Sequence, residues 1–220
     1  MDKNWKVWRQ DSHFSWHSYK EYSQLKNKIE FDFYFMEIYD FEFSPTKCIY
    51  EMNDCIIEKN DIVVDLGSNI GLFTRLASEK SKMVISIEGS PEYFSCLVEN
   101  NCDLKNIKFI NANIVSENNR LSNTWSANKS PIDLTLKDIF YLYNLDTIDF
   151  LKIDIEGGEY SLFRDIDDTY IKRIKKIAIE THDETLNDEL CNRLIGLGKK
   201  SFYFDWYYGN VKPQRMFYFS

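Results

Sequence analysis

The stretch Asp61-Ile62-Val63-Val64-Asp65-Leu66-Gly67-Ser68-Asn69-Ile70-Gly71-Leu72-Phe73 decides the fold. Its apolar run, Ile62 to Leu66, is too short for a buried helix and rich in β-branched residues, which suits the central strand of a parallel sheet covered on both faces. Gly67 and Gly71 bracket a turn, where glycine either takes a backbone angle closed to other residues or lets a ligand approach the main chain. Beyond it Ile70, Phe73, Leu76 and Ala77 fall on one helical face that packs back on the sheet. The order is strand, ligand loop, helix. An ordinary strand-to-helix turn without a ligand has the same residues, so the surrounding chain must decide between them.

Toward the C-terminus, Met83-Val84-Ile85-Ser86-Ile87-Glu88 is a second apolar run, this one ending in a carboxylate. Ser90 and Pro91 then start a helix, since a serine side chain caps free amides and proline's fixed angle suits the first helical position. Phe94, Leu97 and Val98 form its buried face. Glu88 lies about twenty residues beyond Gly67, the spacing at which a second-strand acid meets the ribose hydroxyls of a nucleotide cofactor. A solvated acid at a strand end is the ordinary alternative, but strand, glycine turn, helix, strand and acid stand here in the required order.

Residues 107–112 read as a third strand and residues 113–130 as a long polar loop. Thr135 and Asp138 have the T-x-x-D spacing of a helix start, with Ile139, Phe140 and Leu142 following. Ile148-Asp149-Phe150-Leu151-Lys152-Ile153 is a fourth strand running into Asp154-Ile155-Glu156-Gly157-Gly158-Glu159, so three acids crowd one strand end. Residues 174–180 form a fifth strand closing in Glu180-Thr181-His182, and Leu186, Leu190, Leu194 and Ile195 mark an amphipathic helix. Residues 201–207 and 214–219 alternate aromatic and polar side chains around Gly209-Asn210, the mark of an antiparallel pair. The expected fold class is therefore α/β, a Rossmann-like, doubly wound, mostly parallel seven-stranded sheet ending in an antiparallel strand pair.

Upstream, residues 1–60 are dense in aromatics and form an N-terminal extension or lid, leaving residues 61–220 as the Rossmann-like domain. Phe31, Phe33 and Phe35 alternate as in a strand, and residues 48–57 read as a helix with Ile49, Met52, Ile56 and Ile57 inward. His13 and His17 would share a face on a helix, yet with no acidic motif between them they read as surface residues rather than metal ligands.

At 220 residues and 44% hydrophobic content the chain can bury a sizeable core. A net charge of −8 argues against a nucleic-acid partner, because that binding is dominated by Lys and Arg on phosphates. Five cysteines, an odd number with no C-x-x-C pair, indicate neither a zinc site nor a disulfide framework and fit a reducing cytoplasm. No apolar stretch approaches the length that spans a bilayer, and residues 1–8 lack the apolar core of a signal peptide.

A dinucleotide would lay its pyrophosphate over the glycine turn, but Asn69 puts a side chain where that approach needs bare backbone. A cofactor without phosphates suits the loop better. S-adenosylmethionine needs acceptors for its amine and ribose and donors for its carboxylate, which Asp65, Glu88 and the turn amides can supply.

Three blocks resemble the FkbM-type methyltransferases, a Rossmann-like, S-adenosylmethionine-dependent family. They are residues 64–73, Ile87-Glu88-Gly89-Ser90-Pro91, and most specifically residues 148–159, with Leu134-Thr135-Leu136 just before. The likeness spans residues 61–182, and Gly158 stands where the family usually has alanine. It implies the class I methyltransferase fold and methyl transfer to an oxygen, typically a hydroxyl of a sugar, glycan or natural-product scaffold. The cofactor-binding set it implies is Asp65, Gly67, Ser68, Asn69, Gly71, Phe73, Glu88, Asn111, Asn113 and Asp154. Catalysis falls to His182, Asp154 and Glu156, with His182 the first choice of base because histidine titrates near neutral pH. Glu156 and Glu159 can instead anchor the next helix through its amides, the stronger reading for Glu159. A divalent metal on Asp154, Glu180 and His182 is a further hypothesis. The competing readings are a catalytically idle module that binds a glycan or partner protein, and an NAD-dependent oxidoreductase.

Overall fold

The run Ile62–Leu66 is a strand, and it lies at the middle of the main sheet. The structure, a computed structural model, describes residues 4–7, 15–18, 48–118, 132–181, 187–206 and 214–220. In chain order the elements begin with β1 (Asn4–Val7), β2 (Ser15–Ser18), β3 (Ile62–Leu66), α1 (Leu72–Lys80), β4 (Met83–Glu88), α2 (Pro91–Asn101) and β5 (Ile107–Asn111). Then come β6 (Asn113–Ile114), β7 (Asp133–Leu134), α3 (Leu136–Leu142), β8 (Ile148–Ile153), α4 (Glu159–Asp165) and α5 (Asp168–Ile171). The chain closes with β9 (Ile174–Thr181), α6 (Asn187–Gly196), β10 (Ser201–Trp206) and β11 (Gln214–Phe219).

Seven strands form one sheet in the spatial order β10-β11-β9-β8-β3-β4-β5. The pairs β3–β4, β3–β8, β4–β5 and β8–β9 are parallel, while β11 is antiparallel to both β9 and β10. The antiparallel pair at the sheet's end is present as expected. Its order holds the information the sequence lacked: the last strand inserts between β9 and β10, so β11 alone runs against the other six. Chain order moves from β3 outward through β4 and β5, then returns to the other side of β3 with β8. That reversal opens a crevice at the carboxyl ends of the central strands, where open α/β sheets bind ligands.

Side chains alternate between sheet faces, and this alternation places the site. One face carries Val64 and Leu66 of β3, Leu151 and Ile153 of β8, and Ile177 and Ile179 of β9, buried with side chains of α3, α4 and α6. The other carries Val63, Phe150 and Ala178, packed with Phe73 and Ala77 of α1 and with Tyr50 and Cys55. Two residues further along those second-face rows stand Asp65, Lys152 and Glu180, and after Lys152 comes Asp154. The polar residues at the carboxyl ends are thus continuations of one apolar face.

Local expectations hold where caps were read. Ser90 Oγ accepts from the Tyr93 amide at 3.3 Å with Pro91 at the first helical position. Thr135 and Asp138 form a reciprocal capping box, with Asp138 Oδ2 taking the Thr135 amide at 2.9 Å and Thr135 Oγ1 the Asp138 amide at 3.2 Å. The loop after β5 carries β6, which pairs in parallel with β7.

Residues 48–57 depart from expectation. They form turns and a Met52–Cys55 bridge rather than a helix, with Asn53 at φ 52. Asparagine tolerates that left-handed angle and breaks the helical run. Tyr50 and Cys55 are the residues driven fully inside with Ile57, whereas Ile56 is exposed. His17 lies on β2 opposite Trp5, so it is on a strand rather than a helix. His13, the 31–35 strand and His182 lie outside the described residues. Among the described residues no helix is long and apolar enough to cross a membrane, and the five cysteines are all free thiols.

Candidate active site

The glycine turn is shaped first by protein contacts. Gly67 has φ +76, and a Cβ there would sit 1.7 Å from the carbonyl oxygen of Asp154. Gly71 has φ +90, and a Cβ would meet Asn101 Nδ2 at 2.2 Å and Leu97 Cδ1 at 2.6 Å. Each glycine therefore serves both purposes weighed from sequence, the backbone angle and a close approach, but the approaching groups seen here are β8's end and α2. Asn69, between them, also takes a left-handed angle, φ 51.

A buried chain of hydroxyls fastens this turn to β4. Thr74 Oγ1 donates to Asp65 Oδ2 at 2.6 Å and lies 2.8 Å from Ser86 Oγ, which is 2.8 Å from Ser68 Oγ. Ser68 Oγ reaches the carbonyls of Asp65 and Ile87 at 3.0 and 3.2 Å. The amides of Gly67 and Ser68 both donate to Ile87 O at 3.0 Å. Asp65 and Ser68 are consequently held inside the fold, where they fix the loop's shape. Phe73 is also buried, with its ring edge-on to Tyr50 at 5.2 Å and tilted against Phe150 at 6.1 Å.

Glu88 ends β4 as read from sequence. Its Oε2 accepts from the Asn69 amide and its Oε1 from the Ser90 amide, each at 2.8 Å. Burial pushes its carboxyl up from the ordinary value, and the two amide bonds oppose that shift. Each oxygen keeps a second lone pair for a further donor such as a ribose hydroxyl. Asn111 Nδ2 holds the Glu88 and Gly89 carbonyls at 2.8 and 3.3 Å, so that side chain braces the backbone. Asn113 Nδ2 donates to Asp133 Oδ1 at 3.1 Å, while its own Oδ1 is buried without a hydrogen bond. That oxygen lies 2.8 Å from the point a Cβ would take on Gly89. An unused acceptor facing a glycine fits an amine donor, the type of group an adenine carries.

Asp65 of β3 and Asp154 beyond β8 flank a lysine that sequence reading passed over. Lys152 Nζ donates to Gly67 O at 2.6 Å and lies 3.4 Å from Asp65 Oδ1 and 3.7 Å from Asp154 Oδ2. Its side chain is only 2% exposed, and Nζ sits 4.9 Å from the centre of the Tyr50 ring. The Tyr50 hydroxyl is within hydrogen-bond reach of both Asp154 Oδ2, at 3.0 Å, and Glu180 Oε2, at 3.3 Å. Asp154 and Glu180 are thus brought together as expected from neighbouring strands, with Tyr50 between them. Lys152 had a visible signal: a lysine in phase with Phe150 on a central buried strand needs an anionic partner. Tyr50 had none, being 104 residues from Asp154.

Glu156 is exposed at φ 56 and stands apart from this cluster in burial, while Glu159 is buried and accepts from the Gly157 amide at 3.1 Å. The amide that Glu159 takes lies just ahead of α4, which Glu159 itself begins. For a divalent metal, no group of three or more His, Cys, Asp or Glu side chains is placed for it among the described residues. Of the residues of that hypothesis, Asp154 lies 3.7 Å from the Lys152 ammonium and Glu180 lies 3.3 Å from the Tyr50 hydroxyl.

A parallel sheet in this order, a glycine turn after the central strand and an acid ending the second strand define a Rossmann-like methyltransferase-type fold. The match to a family model for the methyltransferase FkbM domain covers residues 65–201, more than half of the chain. The chain belongs to that family and is an S-adenosylmethionine-dependent methyltransferase. Among solved structures it is similar to the FkbM methyltransferase of Methylobacillus flagellatus KT, with TM-score 0.52 and 19% identity over 75% of this chain and 44% of that one. It is also similar to precorrin-6y C5,15-methyltransferase from Geobacter metallireducens GS-15, with TM-score 0.51 and 13% identity over 76% and 82% of the two chains. An rRNA methylase from Streptococcus thermophilus gives TM-score 0.51 and 14% identity over 74% and 89%. At these identities the structural likeness speaks for the fold alone. No curated protein sequence matches the chain.

Proposed function

We propose that this protein is an O-methyltransferase acting on a hydroxyl of a sugar, glycan or natural-product scaffold, with Asp154 as the described proton acceptor. The observation that carries the reading is the position of Asp154. Its amide donates to Leu66 O at 3.0 Å, its carbonyl abuts Gly67, and its carboxyl is 22% exposed beside a lysine. A carboxylate thus stands at the lip of the cofactor loop with one side open.

S-adenosylmethionine, when bound, supplies an electrophilic methyl group on sulfur. In this proposal Glu88 accepts from ribose hydroxyls with the lone pairs its two backbone bonds leave, and Asn113 Oδ1 accepts from the adenine amine. Gly67, Asn69 and Gly71 shape the loop beneath, Asn111 braces it, and Asp65, Ser68 and Phe73 hold it from inside. Most of the barrier is lowered by alignment, because a sulfonium needs no further activation once the nucleophile is in line. Asp154 takes the hydroxyl proton, a role of the kind worth about 10² to 10⁴ in rate. His182 follows Thr181, the last residue of β9, and shares the base assignment with Glu156, which lies just beyond β8.

The net charge of −8 favours a neutral or small acceptor over RNA. Free cysteines fit a cytoplasmic enzyme, and the N-terminal extension, residues 113–130 and the C-terminal tail are the expected sources of acceptor contacts. The test is turnover: the protein with S-adenosylmethionine is presented with a panel of glycans and hydroxylated small molecules, and products are read by mass. A gain of one methyl on a hydroxyl acceptor supports the reading. Methylation confined to nitrogen, carbon or RNA acceptors overturns it.

A further inference from the structure

The side chain of Asn113 can turn either of two unlike ends toward the cofactor. Its amide carries an oxygen that only accepts and an NH2 that only donates. Nδ2 donates to Asp133 Oδ1 at 3.1 Å, and Oδ1 is buried without a hydrogen bond, 2.8 Å from the point a Cβ would take on Gly89. Glu88, the acid assigned to the ribose, ends the adjoining strand: it is paired with Asn111 of β5, and its carbonyl takes the Ala112 amide at 3.1 Å.

Asp133 decides which end of the amide faces inward. It is exposed and stands across from Asn113 in the parallel β6–β7 pair. The register is fixed on both sides of this position, with the Asn113 amide donating to Ile132 O at 3.1 Å and the Val115 amide to Leu134 O at 2.9 Å. An ionised carboxylate only accepts, so Asp133 draws the NH2 to itself and leaves the oxygen turned toward Gly89. These backbone bonds hold the strand pair together without an acid at 133, and the next pair along, Ile114 with Leu134, is apolar. What the acid adds is the direction of the amide. A buried acceptor left without a donor costs free energy, and a ligand amine in that place relieves the cost.

We infer that Asp133 is a positioning residue for base recognition, which through Asn113 makes the cofactor site select a 6-amino purine over a 6-oxo purine. The inference rests on the reading of Asn113 Oδ1 as the acceptor of the adenine amine. The amine of adenine donates to that oxygen, whereas the O6 of hypoxanthine brings a second acceptor against it and leaves both unpaired. A site built to hydrogen-bond a polar group strongly rejects an analogue that cannot complete the bond. Gly89 serves the same arrangement, because a side chain there would press on Asn113 Oδ1.

Calorimetric titration of the full-length protein with S-adenosylhomocysteine and with its deaminated counterpart, S-inosylhomocysteine, tests this without any methyl acceptor. The parent is expected to bind the adenosyl form roughly 10- to 100-fold more tightly, the effect of one buried mismatched polar contact. Asp133→Asn keeps the size of the side chain but offers a donor as well as an acceptor, so the Asn113 amide is free to turn over. The preference should fall roughly tenfold or more in that variant, and also in Asp133→Ala. A parent without preference overturns the inference. So does an equal loss for both ligands with the preference kept, which is what a mere staple between β6 and β7 would give. Asn113→Ala separates the two readings. Preference surviving in Asn113→Ala removes the adenine contact itself and the inference with it. Preference lost in Asn113→Ala but kept in both Asp133 variants leaves the contact standing and overturns the inference alone. Should Asn113→Ala not fold, Asn113→Ser takes its place.

Discussion

The ammonium of Lys152 lies 2.6 Å from the carbonyl oxygen of Gly67, binding the strand that leads into Asp154 to the glycine turn after β3. Two functions are joined by that one contact, since the same nitrogen sits between Asp65 and Asp154. Lys152→Met keeps the length of the side chain but strands buried carboxylates without their cation. The expected cost is about 3 to 5 kcal/mol of stability, with weaker S-adenosylmethionine binding, measured by denaturant titration and calorimetry. A variant as stable as the parent would show that the cluster is solvated.

Two glycines differ in what they forbid. Gly67→Ala meets the Asp154 carbonyl at 1.7 Å as well as an unfavourable angle, so the loop must move; a loss of more than about 2 kcal/mol is expected, with cofactor binding abolished. Gly157→Ala, at φ +104 with nothing within 4 Å, meets the angle alone and should cost about 1 to 2 kcal/mol with binding kept. Thermal melts with and without cofactor compare them.

Glu88 sets a pH dependence. Its folded-state value is raised above the ordinary 4.5 by burial, so the folded protein binds this proton more tightly than the unfolded chain. Its contribution to stability therefore falls as pH rises from the ordinary value through the raised one, and is at its least favourable above that. Cofactor affinity should move oppositely, weakening as pH falls through the raised value because a protonated carboxyl accepts less well. S-adenosylmethionine titrations across that window should show the trend, and Glu88→Gln should flatten it while weakening binding throughout.

Asp154→Asn should lower turnover about 10² to 10⁴-fold with little change in cofactor affinity, provided the carboxylate is the base. His182→Ala in the same assay separates the two candidates. Equal losses in both would mean that they act in series, whereas a loss in His182→Ala alone would move the base off β8.

Thr135→Ala removes the hydroxyl half of the capping box at the start of α3, the acceptor of the Asp138 amide, and keeps the backbone amide that donates to Asp138 Oδ2. It should cost about 1 kcal/mol in chemical denaturation and leave turnover unchanged, because the box supports packing and touches no group of the site.

Local patterns in the sequence were enough for the helix starts at Ser90 and Thr135, for the strand runs, and for Glu88 as the acid ending the second strand. The helix expected over residues 48–57 failed because apolar spacing there came from two separate demands, Tyr50 and Cys55 reaching into the core and a left-handed Asn53 turning the chain between them. Asp65 was read as an acceptor for the cofactor's polar groups, and Phe73 belongs to the cofactor set that the family resemblance implies. Their burial, with Thr74 and Lys152 on one and two rings on the other, places them behind the loop.

From Asp61 to Phe73 the sequence alone determined a strand, a glycine turn and a helix, and with the residues around Asp154 it determined the family. Those features are local, governed by side-chain period, backbone angle and cap chemistry. Only the tertiary structure decided that β11 inserts beside β9, that Lys152 is the cation of the acidic cluster, and that Tyr50 stands between Asp154 and Glu180. Each of these depends on which distant strands share a sheet face, a matter settled by burying the whole chain at once.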